Sequence, residues 1–150
     1  MLEKPHLLVL PPHAYVPGFS PRHPATLLDG LKATVSPRTP PSELHLTPAF
    51  VAGRIYYDAG FFWECHEVLD VVWLHTADPS AEREIVLALI QLANARLKVL
   101  MRQPRAAFPL CDVVETRLSR CPQDRRILGL QVSDVAVLLS EARLTAQNAL

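Results

Sequence analysis

Gly60-Phe61-Phe62-Trp63-Glu64-Cys65-His66-Glu67-Val68-Leu69-Asp70-Val71-Val72-Trp73 is the stretch whose reading decides the fold. At about 100° per residue, the turn of a 3.6-residue helix, Phe62, Cys65, Leu69 and Val72 share one stripe. Trp63, His66, Asp70 and Trp73 form a second stripe beside it, so His66 and Asp70 are i,i+4 neighbours bracketed by tryptophans. Glu64 and Glu67 fall further round, i,i+3 to each other. An ordinary surface helix is apolar on one stripe and polar elsewhere. This one is apolar over most of its circumference, with His66 and Asp70 inside the apolar region. An ionised group buried without a partner is strongly unfavourable. Asp70 is therefore expected to accept a hydrogen bond from His66, or both are expected to face a polar pocket.

Working outward, Thr47-Pro48 reads as a helix start, with Thr as N-cap and Pro in the first helical position. Gly60 fits the left-handed C-terminal position of that helix, so the two helices are predicted to form a tight antiparallel hairpin. On the other side Asp78-Pro79-Ser80 makes a turn. Ser80 or Asp78 can cap a third helix, whose stretch Ile85–Ala93 carries one polar residue, Gln91. A helix apolar all round is a central one. Gln91 and Asn94 break that surface on one side, and a hairpin would bring them near His66 and Asp70. Pro104 opens a fourth helix, with Pro109 able to bend it, and Cys121-Pro122 stops it. Ile127–Val132 reads as a loop or brief extended piece, and Ser133-Asp134 as the cap of a last helix. The predicted helices are 48–59, 61–76, 80–102, 104–120 and 133–148, an all-α bundle of about five helices built from antiparallel hairpins. No strand-and-helix alternation suggests a parallel sheet.

Residues 1–47 read as an irregular Pro-rich arm and 48–150 as the helical domain. Ten of the fourteen prolines lie at or before Pro48, and proline disfavours helix in itself and in the residue before it. Yet Leu7 to Leu10, Tyr15, Val16, Phe19, Leu27, Leu28, Leu31 and Val35 give the arm docking side chains that disordered segments lack. It is expected to wrap over the helical body, with one helical turn near Thr26–Leu31. His13, Arg22 and His23 are its polar groups able to reach a site.

The 150 residues suffice for one domain with a core. Lys plus Arg equal Asp plus Glu, giving a formal net charge of zero, without the basic excess of a nucleic-acid binder. No apolar run is long enough for a membrane span, and Leu7-Leu8-Val9-Leu10 is too short for a signal-peptide core. Cys65, Cys111 and Cys121 are odd in number and lack C-x-x-C spacing, which suits free thiols in the cytoplasm. An apolar fraction of 49% and a last helix poor in charge favour a homodimer over a monomer.

No phosphate-cradling glycine loop and no G-x-S-x-G is present. Cys65 adjoins His66 in sequence, but neighbours on a helix point apart, and Cys65 lies in the apolar stripe. His66-Glu67-x-x-Asp70 is one change from the H-E-x-x-H helix of zinc proteases, where two histidines hold the metal and Glu is the base. Asp can replace His as an oxygen ligand, so His66 and Asp70 are candidate ligands of a divalent metal ion and Glu67 (or Glu64) the candidate base of a metal-dependent hydrolase. A third ligand must come from His45, His13, His23, Glu64, or Gln91 and Asn94. The missing second histidine favours the other reading, a binding or interaction module. In it Glu64, His66, Glu67, Asp70, Trp73, Gln91 and Asn94 organise a pocket for an unidentified small molecule or partner.

Tyr57 to Trp73 also resembles the signature of the domain of unknown function 309 family, approximately F-N-x-G-x-Y-F-E-A-H-E-x-x-E-x-x-W, and Leu89-Ile90-Gln91-Leu92-Ala93 resembles that family's next helix. The resemblance spans about residues 48–120. Trp63, Cys65 and Asp70 depart from the pattern, Asp70 by one methylene. It implies a compact helical bundle and brings no established activity. Glu64, His66, Glu67, Asp70 and Trp73 carry over as motif positions without roles.

Overall fold

The structure, a computed structural model, describes residues 8–150, and these are helical without a named strand. In the arm, Asp29–Lys32 forms a single-turn helix, α1, and Pro41–Leu46 a 3-10 helix. The body consists of α2 (Pro48–Ala59), α3 (Phe62–Leu74), α4 (Ala81–Leu100), α5 (Ala107–Ser119) and α6 (Val132–Asn148). These are the helices that caps and apolar spacing predict, trimmed by a residue or two at five of the ten ends, with α5 starting three residues later and α6 one residue earlier than predicted.

The α2–α3 hairpin is built as its sequence specifies. Thr47 Oγ1 accepts the Phe50 N–H at 3.3 Å, Pro48 stands in the first turn, and Gly60 takes φ +84° at the C-terminus. Gly53 lets the two helices close up. A Cβ there would stand 2.6 Å from Leu69 Cδ2, and Leu69 is itself buried. Helix α4 is central, in contact with α3, α5 and α6. It buries residues around its girth, from Ile85, Val86 and Ala88 through Leu92, Ala93 and Leu97. Ser80 caps it by accepting the Arg83 N–H at 3.0 Å.

Two caps differ from expectation. Pro104–Ala106 is a 3-10 turn and the α-helix starts at Ala107. Pro109 then falls in the first turn of α5, where its missing N–H would have had no intrahelical partner, so no bend is required of it. Helix α6 is capped by Gln131, whose N–H donates to Asp134 Oδ2 at 2.9 Å. Asp134 thus acts from inside the first turn, reaching back, rather than as the cap. Ahead of it, Ile127 and Leu130 exchange hydrogen bonds of 2.8 and 2.9 Å. They close a two-residue turn at Leu128 (φ 54°) and Gly129 (φ 74°), the pair of positive φ values that a type I′ turn demands.

The described arm lies on the body. Tyr15, Leu28, Val35 and Leu44 are buried, and Leu8, Val16 and Leu31 pack against the core. Val9, Leu10, Phe19 and Leu27 stay exposed, so only part of the arm's apolar surface is used for docking. Leu7 lies outside the described residues. Polar ties fix the path: Thr34 Oγ1 accepts the Ala49 N–H at 3.1 Å, and three further links end on α3.

Candidate functional site

Helix α3 carries its acids on the side that faces the arm. Glu64 is wholly buried. Its Oε2 accepts the Tyr15 N–H at 2.9 Å and lies 2.6 Å from His23 Nε2. With Glu64 ionised, Oε2 accepts from both, and Nε2–H is the donor. A buried carboxylate is tolerable only with such compensation. Glu64 Oε1 has no partner among the described residues. The His23 side chain is 3% exposed and packs beside Trp63, His13 and Tyr15, with ring centroids at 6.1, 4.8 and 6.3 Å.

One turn on, Glu67 Oε2 is 3.4 Å from the Lys32 ammonium at the end of α1. His66 and Asp70 are i,i+4 as expected, but His66 Nε2 stands 3.9 Å from Asp70 Oδ2, beyond hydrogen-bond length. His66 Nδ1 is buried without a partner among the described residues, and its ring meets Trp63 edge-on at 6.0 Å. Half the Asp70 side chain is exposed. Partial burial raises its pKa above the ordinary value, His66 pulling the other way and Glu67 adding to the rise. Trp73 is half-buried, its ring covered by the Arg83 guanidinium at 3.9 Å, while its indole nitrogen is buried and has no partner among the described residues.

Gln91 and Asn94 are not joined to this cluster. Asn94 Nδ2 donates to Gln91 Oε1 at 3.2 Å, and no hydrogen bond among the described residues links either to His66 or Asp70. They satisfy one another on α4, which removes the need for a partner across the hairpin. Cys65 is fully buried, and desolvation, with Asp58 and Glu64 adding to it, pushes its thiol pKa far up. A thiol held neutral in this way is no nucleophile, despite the neighbouring histidine.

Two concavities adjoin here. One, of about 360 Å³, is lined by Tyr15, Arg22, His23, Lys32, Trp63 and Glu67 together with arm residues Pro24 to Leu28 other than Thr26. The other, more open and of about 400 Å³, runs over Asp70, Val71, Trp73 and Leu74. Lys32 and Glu67 belong to both. The arm side of this cleft was missed by helical spacing. Its one sequence signal was the group His13, Arg22 and His23, polar side chains carried by a segment rich in docking residues. His66, Glu67 and Asp70 each offer a ligand atom, and these atoms lie within 4.8 Å of one another.

Residues 50–110 match the family model of a domain of unknown function, DUF309. The DUF309 segment contains α3 and α4 whole and ends in α5, short of the 120 that the resemblance suggested. It supplies the α3 wall of the cleft. Arg22, His23 and Lys32, which form the facing wall, lie outside it. No curated protein and no solved structure matches the chain.

Proposed function

We propose that the protein is a binding module in which α3 and the N-terminal arm enclose a cleft for a small polar molecule. The observation that carries this reading is the Lys32–Glu67 pair standing where the two concavities meet. Its cation comes from the arm and its anion from α3, so both walls bring charge to one place. The volume suits a small ligand, and the lining of apolar and aromatic side chains with a few convergent polar groups is the usual composition of such sites. A fragment mixture screened by ligand-observed NMR tests it. Hits are expected that compete with one another and are lost in Lys32→Glu, which sets two carboxylates against each other. Hits indifferent to Lys32→Glu would contradict the reading.

The grouping of His66, Glu67 and Asp70 favours a second reading, a divalent cation site. Two features weigh against a hydrolase built on it. Glu67 would have to serve as ligand and base at once while paired with Lys32, and Glu64 is sealed beneath the arm. Elemental analysis of protein made without a histidine tag tests it, and stoichiometric zinc or manganese would favour the metal over the plain binding module.

A second copy of the chain is the partner we propose. Val137 and Leu144, seven residues apart on one face of α6, are 57% and 56% exposed, with the exposed Ser140 and Glu141 between them, and these two apolar side chains support the proposal. Light scattering at the monomer mass at high concentration would contradict a dimer. Among the described residues no helix is long and apolar enough to cross a membrane, and three buried, unpaired cysteines support a reducing compartment such as the cytoplasm.

A further inference from the structure

The donor group on α3 already carries a cation, supplied by the arm. His66, Glu67 and Asp70 each offer one ligand atom, and these atoms lie within 4.8 Å of one another. The Lys32 ammonium stands 3.4 Å from Glu67 Oε2, and Lys32 lines one concavity with Glu67 and Asp70. Its charge is felt at Asp70 as well. Partial burial raises that pKa, His66 lowers it, Glu67 adds to the rise and Lys32 pulls it back.

With Glu67 and Asp70 ionised, two carboxylates share one ammonium, and both are held loosely. The Lys32–Glu67 contact is longer than a good charge-assisted hydrogen bond, and His66 Nε2 is 3.9 Å from Asp70 Oδ2. No other ion pair reaches either acid among the described residues. The ammonium rides on a flexible four-carbon stem that can swing away. A divalent ion such as zinc holds imidazole nitrogen and carboxylate oxygen at about 2.0–2.2 Å, which draws its donors to roughly 3 Å of one another. Lys32 would then face a dication of its own sign while competing for the same Glu67 carboxylate. It closes α1, and its pair with Glu67 is the one ion pair between α1 and α3 among the described residues.

We infer that Lys32 is a tethered competitor at the His66–Glu67–Asp70 group: a divalent cation binds there by displacing the ammonium, so cation binding loosens the arm and arm docking weakens cation binding. This rests on the divalent-cation reading and names the regulation of that site. Linkage makes the two effects equal in size. Lys32 also lines the neighbouring concavity, so its displacement alters the cleft at the same time.

The test uses the full-length protein without a histidine tag and Mn²⁺, an ion suited to carboxylates, with the free ion counted by electron paramagnetic resonance. Lys32→Gln is expected to bind Mn²⁺ about tenfold more tightly than the parent, and Lys32→Arg, which keeps the charge, to bind like the parent. Binding seen in Lys32→Gln alone supports the inference in the same way. In the parent, Mn²⁺ is expected to speed trypsin cleavage after Arg22 and Arg38, both exposed on the arm. Circular dichroism checks that each variant is folded. Equal affinity in the parent and Lys32→Gln, or a gain in Lys32→Arg as large as in Lys32→Gln, would overturn the inference and leave the cation site standing. Binding to Lys32→Gln that survives the addition of His66→Ala would place the ion elsewhere and overturn both. No Mn²⁺ binding in any of the three proteins would remove the cation reading and this inference with it.

Discussion

Glu64 and Asp70 are carboxylates on one helix, at the two ends of one cluster, in opposite circumstances. Glu64 has no exposed surface and two donors from the arm, a backbone N–H and a histidine. Asp70 is half exposed, its nearest partner is 3.9 Å away, and its pKa is raised. The first acid is part of how the chain holds together, and the second is a surface group beside an open concavity. Burial alone does not tell them apart in the sequence, since both stand among apolar neighbours. What separates them is the arm, which covers one and stops short of the other.

Removing the arm should therefore have the largest effect. Deleting residues 1–40 takes away Tyr15, Leu28 and Val35, each buried, the two aliphatic ones each worth about 1.5–3 kcal/mol on burial, and leaves Glu64 without its donors. The truncated chain is expected to melt far lower or to lose cooperative unfolding, read by circular dichroism. An unchanged melting temperature would make the arm an ornament and erase the contrast between the two acids.

Gly53→Ala comes next and probes the frame rather than the site. The added methyl must displace Leu69, which is buried between the helices, and overpacking of this kind costs about 1–3 kcal/mol. Urea denaturation gives the value. A neutral result would mean that the α2–α3 hairpin slides freely, and with it the α3 wall of the cleft.

Asp70→Asn should have the smallest effect and the opposite sign from a change at Glu64. An acid whose pKa is raised on folding binds its proton more tightly in the folded state. Stability is then fully present below the unfolded value, near 3.8, and declines as pH rises through the folded one. At neutral pH the variant is expected to be as stable as the parent or slightly more so, and the advantage should vanish in acid. Melting curves at pH 7 and at acid pH check it. A clear loss at pH 7 would mean that Asp70 is held by a partner as Glu64 is.

Much of this was legible from residue spacing. Thr47-Pro48, Gly60 and Ser80 mark helix ends by chemistry local to the chain, and the girth of Ile85–Ala93, apolar but for Gln91, put that helix at the centre. Helical periodicity placed His66 and Asp70 together, as they are. It could not say that Glu64 is the acid most deeply buried, because the covering surface comes from Tyr15 and His23, distant in sequence and in an irregular segment without period. It drew Gln91 and Asn94 toward His66 on the argument that buried polar groups need partners. That requirement holds, but the two found each other within one helix, an arrangement i,i+3 spacing permits and tertiary reasoning passed over. The cap of α6 shows the same limit on a smaller scale, since Asp134 suits either a cap or a first-turn position and only the path of Gln131 decides.

The central claim is that Glu64 and His23 are coupled across the arm and α3. A double-mutant cycle of Glu64→Ala and His23→Ala, with unfolding free energies measured in urea, tests it most directly. Contacting polar groups show coupling of about 0.5–3 kcal/mol, and a value above about 1 kcal/mol is predicted, because either single change strands the other group in the buried contact. Losses in the two single variants that simply add in the double variant would contradict the account.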